Sequence, residues 1–414
     1  MRTRFTCLPT FSAALPAIAL VLLSLITATA NYAQPAAGST NKSLPGECLN
    51  LPELANAQDD ASPSLAACMS RLPDHATLRL SPGEYHLRTP LIISRAITIE
   101  TEASKPAGAC RKGDSTGCAV FVLDEMQKQP VNGAMPIEIT APDVTLRAIA
   151  VAGSNSRSLD WQKLVCLDES TRPLGGGIRV RGSGFRLQGA LIRNVSCYSA
   201  LEIVASARHP SILDSTIGPN GTHDLHQMWA DGITIHNTSS AHVEGNNFRD
   251  NTDVQLVFGG CRDCIVKGNV FRHSAPFAHA SFAELMLHSW PNTSGDFSGS
   301  TISENDIDCN KARRCGYGMM IGGEPWYSAR TSGGTVSNNR IANALLALNV
   351  DRLTGPMIIT GNVITRSGGR ANSDCGRKTW PAVNISPESL KLIQTDLDDF
   401  ASMSTAKCIL LRQP

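Results

Sequence analysis

The chain reads as an all-β protein: a parallel β-helix, or solenoid, with short helical caps at both ends. Three observations lead there. First, a hexapeptide of apolar-x-x-Asn-x-apolar form recurs five times, with its Asn at 246, 269, 305, 339 and 362. The steps are 23, 36, 34 and 23 residues, so the long ones are one unit of 23 plus insertions of 13 and 11. Second, each copy follows another short β-favouring run, which gives two or three strands per period, the signature of a stacked-coil solenoid. Third, the 414 residues include 34 Gly and are 42% hydrophobic but only 18% charged, a mix suited to strands and turns.

Each element follows in order. Residues 1–30 read as a secretory signal peptide: Arg2 and Arg4, an apolar run over 11–26, then Ala28-Thr29-Ala30 as a small-residue cleavage site. The rival reading, a membrane anchor, asks for a longer apolar run. Residues 31–75 form an N-terminal segment and cap, with a helix predicted over 63–72. The solenoid covers 76–370, opening with a strand at 77–80 and a turn at Ser81-Pro-Gly83. In stacked coils equivalent residues lie ~4.8 Å apart, so the repeated Asn can form a ladder of side-chain amides. A β-sandwich would not hold a fixed period over five copies. Residues 371–414 form the C-terminal cap, with a helix starting at Ser386-Pro387-Glu388 and running to about Phe400.

Charge and cysteine content narrow the function. With 37 Lys+Arg against 36 Asp+Glu there is no basic surplus for nucleic acid. Thirteen cysteines, one of them Cys7 in the leader, leave twelve for an exported chain, where disulfides are expected. Short separations suggest Cys110–Cys118 and Cys309–Cys315. Cys261-Arg-Asp-Cys264 stays open to a redox or metal reading. No phosphate loop, dinucleotide motif, Ser-His-Asp elbow or calcium-loop rhythm appears, so no cofactor or metal is expected. The oligomeric state cannot be read.

On the repeat, the chain resembles the right-handed parallel β-helix proteins of the pectate-lyase-like superfamily over roughly residues 76–370. That fold hosts lyases, hydrolases, epimerases and adhesins. The sharpest local motif is Ala230-Asp231-Gly232-Ile233-Thr234-Ile235, followed by Asn251-Thr252-Asp253-Val254. Asp231 and Asp253 are 22 residues apart, close to one coil. Two carboxyl groups on neighbouring coils can divide glycosidic cleavage between an acid and a base. The pair resembles the polygalacturonase family, in which a TDG-type segment precedes an acidic pair by one coil. The resemblance implies roles for Asp231 and Asp253 alone: Thr252 stands at the first acidic position, and the family's Gly-His-Gly and Arg-Ile-Lys segments are missing. The 23-residue ladder register, by contrast, stacks Asp253 on Ala230.

Glu284 is the third catalytic candidate, placed on an outward row with Glu202, Gly232 and Gln255, with His236 and His288 beside it. Seven of ten histidines fall between 223 and 288, which points to a site there. The substrate-binding candidates are His223, Asp224, His226, Trp229, His236, Gln255, Arg272, His288, Trp290, Glu324 and Trp326. Loop tryptophans offer flat faces for sugar rings, and the partner expected is a polysaccharide or oligosaccharide. Three functions stay open: glycoside hydrolase, polysaccharide lyase using stacked Arg249 and Arg272 against a uronate, and a non-catalytic carbohydrate-binding or adhesive solenoid.

Overall fold

The computed structural model describes residues 46–102, 110, 113–123, 135–153, 176–223, 229–322, 330–373, 376–403 and 410–411. Short apolar-polar-apolar segments are too brief to stand alone, and they bury their apolar sides by stacking. The result is three long parallel sheets of 11, 10 and 10 strands, visited in rotation as the chain winds. The first sheet runs from Thr77–Leu80 to Ile393–Thr395, the second from Gly83–Leu87 to Val363–Thr365, and the third from Leu91–Ile93 to Val383–Ile385. The fold is a right-handed parallel β-helix.

The repeat sets the register. Val243 pairs with Val266, Val266 with Ile302, Ile302 with Val336 and Val336 with Ile359, across both short and long steps. The insertions therefore bulge from corners and leave the stack in register. Inside, Phe248 and Phe271 stack nearly parallel at 4.7 Å between centroids. At the corner between the first and second sheets the five Asn form the expected ladder. Asn246 donates to Asn269, and so on through Asn305 and Asn339 to Asn362, each Nδ2 to Oδ1 at 2.9 Å. The same oxygens also accept the backbone N–H of the preceding coil's Asn. Upstream, Ser215 holds the equivalent place, its N–H bonded to Asn246 Oδ1.

Replacing Asn305 with alanine is expected to cost about 3 kcal/mol or more, since it strands two buried donors of Asn269 at ~1–3 kcal/mol each and takes one of two bonds from the Asn339 oxygen. Urea unfolding of Asn305→Ala checks this; an unchanged midpoint would show the ladder to be ornamental.

Disulfides join Cys48–Cys68, Cys110–Cys118, Cys261–Cys264 and Cys309–Cys315, and Cys197 is disulfide-bonded as well. The open reading of Cys261 and Cys264 thus resolves to a bonded pair buried in the core, not a thiolate metal site. Among the described residues no helix is long and apolar enough to cross a membrane.

Both caps carry helices. The first spans Ser62–Arg71 and is tied down through Cys68. The second is shorter than expected. Ser386 caps it as predicted, but the helix spans only Pro387–Leu390. The β-branched ends of Ile393–Thr395 then pair with residues 357–359 and extend the first sheet, which ends the helix well before Phe400. Between the last coils, Gly369–Ser373 and Lys378–Trp380 form an antiparallel hairpin, joined by Leu410–Leu411. The signal-peptide segment lies outside the described residues.

Candidate active site

The third sheet carries the sharpest of the candidate residues on its outward face. Leu201, Ile233, Leu256 and Leu285 stack inward, and Glu202, Thr234, Val257 and Met286 stack outward one residue later. Asp231 opens its strand opposite Ser199. Strict alternation would not put Asp231 and Thr234 on one side. Gly232 breaks the alternation: a Cβ there would lie 2.4 Å from the Gln255 carbonyl oxygen. The strand presses onto its neighbour at that point, and Asp231 Oδ2 accepts the Thr234 hydroxyl at 2.9 Å. Thr234 Oγ1 in turn lies 2.5 Å from Ser199 Oγ.

The 23-residue register holds from Ile233, which pairs with Leu256, but just before it Ala230 bridges Thr252, one residue short of the Asp253 that the ladder register would stack on it. Asp253 is therefore not in line with Asp231, yet the two carboxyl groups interact. Asp253 has φ 140°, a region L-residues rarely occupy. Its carbonyl accepts the N–H groups of Phe282 (2.5 Å) and Ala283 (3.2 Å), contacts that hold the strained residue in place. The next N–H, of Val254, donates to Asp231 Oδ1 at 3.1 Å. Burial first, and then the negative charge of Asp253, push the Asp231 pKa up to about 8, against the bonds from Thr234 and Val254. Asp231 is thus a protonated acid at neutral pH.

On the adjoining coil stands a carboxylate of opposite character. Glu202 accepts from Arg179 Nε at 2.6 Å and lies 2.8 Å from His236 Nε2. Burial works to raise its pKa, but the His236 bond and the Arg179 charge win, and it lies below the ordinary range. Arg179 and Arg181 both also meet Glu138. Aromatic rings flank this strip at both ends. Trp229 packs with Tyr198 and Cys197 beside Asp231. Trp290 stands edge-on to His236 at 5.3 Å. Asp231 to His236 spans five residues, about 16 Å of strand.

Several expected site residues lie elsewhere. Glu284 and Gln255 are fully buried, not on an outward groove floor. Glu202 pairs with Thr234, two residues past the position that would align it with Gln255 and Glu284. The strand bends at its start, where Glu284 turns into the corner between the second and third sheets. There it meets His273 Nε2 (2.7 Å), Gln255 Nε2 (2.7 Å) and the Ser281 hydroxyl (2.5 Å). His273, wholly enclosed, lies 3.4 Å from Asp250 as well. Burial opposes its charge, but Glu284 and Asp250 raise its pKa to about 9. This is an interior ion pair and cannot touch a polymer.

His288 is also buried, and burial lowers its pKa to about 4, so it is neutral. Arg249 and Arg272 stack in register as expected, but on the second sheet, where Arg272 binds Asp306 at 2.5 Å and two backbone carbonyls. His223 lies against Phe277, with ring centroids 6.0 Å apart. The described histidines do not share one site: His242 pairs with Glu244 on the first sheet, His236 faces outward beside Glu202, and His273 and His279 meet Asp250 at a corner. Asp224, His226, Glu324 and Trp326 lie outside the described residues.

The outward strip thus keeps Asp231, Asp253, His236, Trp229 and Trp290 from the sequence reading. It adds Ser199 and Thr234 and promotes Glu202 to a first-rank candidate. Thr234 was visible in the Asp231 motif; what hid its role was the broken alternation at Gly232.

No family model matches the chain, and no curated protein matches it. Solved structures do. The Dettilon tailspike protein superposes with TM-score 0.52 at 12% identity, covering 84% of this chain and 65% of that one, so the chain spans about two-thirds of the tailspike's length. A DFA-IIIase from Arthrobacter chlorophenolicus A6, without its lid, gives 0.49 at 13% identity over 86% of this chain and 98% of that one. The family 28 exopolygalacturonase of Yersinia enterocolitica gives 0.49 at 12% over 83% and 69%. At this identity the likeness shows the fold.

Proposed function

We propose that this is an exported carbohydrate-active enzyme that hydrolyses glycosidic bonds of a polysaccharide or oligosaccharide with paired carboxyl groups. The observation that carries the reading is Asp231: a half-buried carboxyl group on the outward face, held protonated near neutral pH beside a second carboxylate. Environments that push neighbouring carboxyl pKa values apart are how one site supplies both acid and base. Asp231 donates its proton to the leaving oxygen as the glycosidic bond breaks. Asp253 takes a proton from the water that adds to the anomeric carbon. Trp229 and Trp290 supply flat faces for sugar rings at the two ends of the strip. Structural neighbours named as a DFA-IIIase and an exopolygalacturonase fit this chemistry, and the disulfides fit an oxidising compartment.

The lyase alternative is less well served. β-Elimination needs cations to neutralise a uronate carboxylate, but Arg179 and Arg181 are engaged by Glu138 and Glu202, and Arg272 by Asp306. A panel of neutral and uronic-acid glycans separates the readings. Reducing ends without absorbance from unsaturated products are expected; absorbance from such products would establish the lyase, and binding without turnover would establish the adhesive solenoid. Because the acid must hold its proton, kcat/KM is expected to fall as pH rises through about 8. A profile flat from pH 6 to 10 would remove Asp231 from the role.

A further inference from the structure

Asp253 meets Asp231 in a strained backbone conformation, and the side chain that closes the strained segment belongs to neither. Gln255 is wholly buried and folds its amide back over the residues that precede it. Its Oε1 accepts the backbone N–H of Asn251 at 3.2 Å and the Asn251 side-chain amide at 2.8 Å. The two ends of segment 251–255 are thereby tied together, and Asp253, with its φ of 140°, is the middle residue of the closed ring. Gln255 Nε2 donates the other way, to Glu284 Oε2 at 2.7 Å and to the Arg272 carbonyl at 3.3 Å. The amide thus makes all four hydrogen bonds open to it. The coil that carries Asp231 leans on the same ring. A Cβ on Gly232 would lie 2.4 Å from the Gln255 carbonyl oxygen and 2.8 Å from the Asn251 amide nitrogen, so the residue after Asp231 is pressed against it. On the other side Ala230 donates its N–H to the Thr252 carbonyl at 2.9 Å. Both segments that carry the carboxyl groups are seated on one clamp, and a strained φ persists only where the surroundings over-determine it.

We propose that Gln255 is a positioning residue for the acid–base pair: its side chain closes segment 251–255 and so holds the Asp253 carboxylate against Asp231. Buried in the corner, Gln255 touches no substrate and acts through Asp253. This rests on the glycoside-cleaving reading above and deepens it, because the two carboxyl groups divide acid from base only while they keep their places. Asp231 is faced by the charges of Asp253 and Glu202. Behind Gln255 stand Glu284 and, beyond it, His273 and Asp250. With the ring opened, Asp253 relaxes away, and Asp231 loses the like charge that helps it keep its proton.

The test is Gln255→Leu in the full protein, with Gln255→Glu as the conservative variant. In Gln255→Glu the new carboxyl group faces the Glu284 carboxylate, keeps its proton, and still accepts from Asn251 and donates to Glu284. The first readout needs no substrate: NMR titration of the side-chain carboxyl carbons, with the Asp231 signal assigned from Asp231→Asn. Gln255→Leu should lower the Asp231 midpoint from about 8 toward the ordinary carboxylate range, and Gln255→Glu should leave it in place. The second readout is turnover of polygalacturonate, alginate, inulin and a mixed-linkage glucan. On whichever is cleaved, Gln255→Leu should lose about 10²-fold in kcat, the cost of ~1 Å of misplacement, with KM little changed. Its alkaline decline should move to lower pH together with the titration, and Gln255→Glu should restore both. An unmoved Asp231 midpoint in Gln255→Leu overturns the proposal, and activity lost equally in both variants with that midpoint unmoved shows a purely structural residue. Should Gln255→Leu not fold, Gln255→Asn takes the same readouts, since its amide is one methylene too short to reach both Asn251 and Glu284. No turnover of any glycan by the unaltered protein, with the midpoint shift present, would sink the glycosidase reading and leave the clamp standing.

Discussion

Asp231→Asn should lower kcat on a natural glycan by about 10³-fold, within the range general acid catalysis contributes, while leaving the fold and substrate binding in place. Asparagine keeps one oxygen for the Val254 N–H and puts its NH2 group where the second oxygen met Thr234, whose hydroxyl can turn to accept from it. What it removes is the transferable proton. Two accompanying observations would tie the loss to that proton. The decline in activity near pH 8 should vanish from the residual rate, because its source is gone. An activated aryl glycoside, whose leaving group needs no proton, should lose far less, about tenfold or under. Equal losses on both substrates would point instead to a structural role. Asp253→Asn tests the partner: it should cost turnover directly and also lower the pKa of Asp231, since the Asp253 charge is the second cause of its elevation.

The second large effect lies in the corner beneath the site. Removing the carboxylate in Glu284→Gln leaves a protonated His273 enclosed without its nearest counter-charge, and breaking a buried pair in this way costs about 3–5 kcal/mol. Urea midpoints would register this at once. The pH dependence gives the sign. The folded pKa of His273, raised to about 9, lies above the ~6.5 of an unfolded histidine. The stabilisation is therefore complete below ~6.5 and is lost as pH rises through about 9. Asp231 is raised too, and its contribution is lost from the ordinary carboxylate range up to about 8. Measuring in an Asp231→Asn background isolates His273. Stability that stays level between pH 6.5 and 9 there would mean the histidine is neutral in the fold.

The solenoid was legible because its repeat is enforced by hydrogen bonds. A buried Asn whose amide must meet the next coil resists slippage, so it leaves a period that insertions stretch but do not erase. Asp231 was legible because its motif opens a strand. Glu284 was misplaced because outward-inward alternation was carried through a corner where the backbone bends, and an acid next to Leu285 reads the same whether it faces water or His273. The histidines misled for a related reason. A 23-residue coil distributes a run of sequence over three faces, so proximity along the chain says little about proximity in space.

The two long repeats, with steps of 36 and 34 residues, keep the Asn–Asn distance at 2.9 Å, the same as the unextended ones. The scaffold is thus indifferent to how much chain is spliced in between its strands. Loop growth and loss can be sampled by mutation without threatening folding, so what the surface recognises is free to diverge while the backbone beneath it stays constant. Such a chain can drift far in sequence from others of its architecture and still fold as they do.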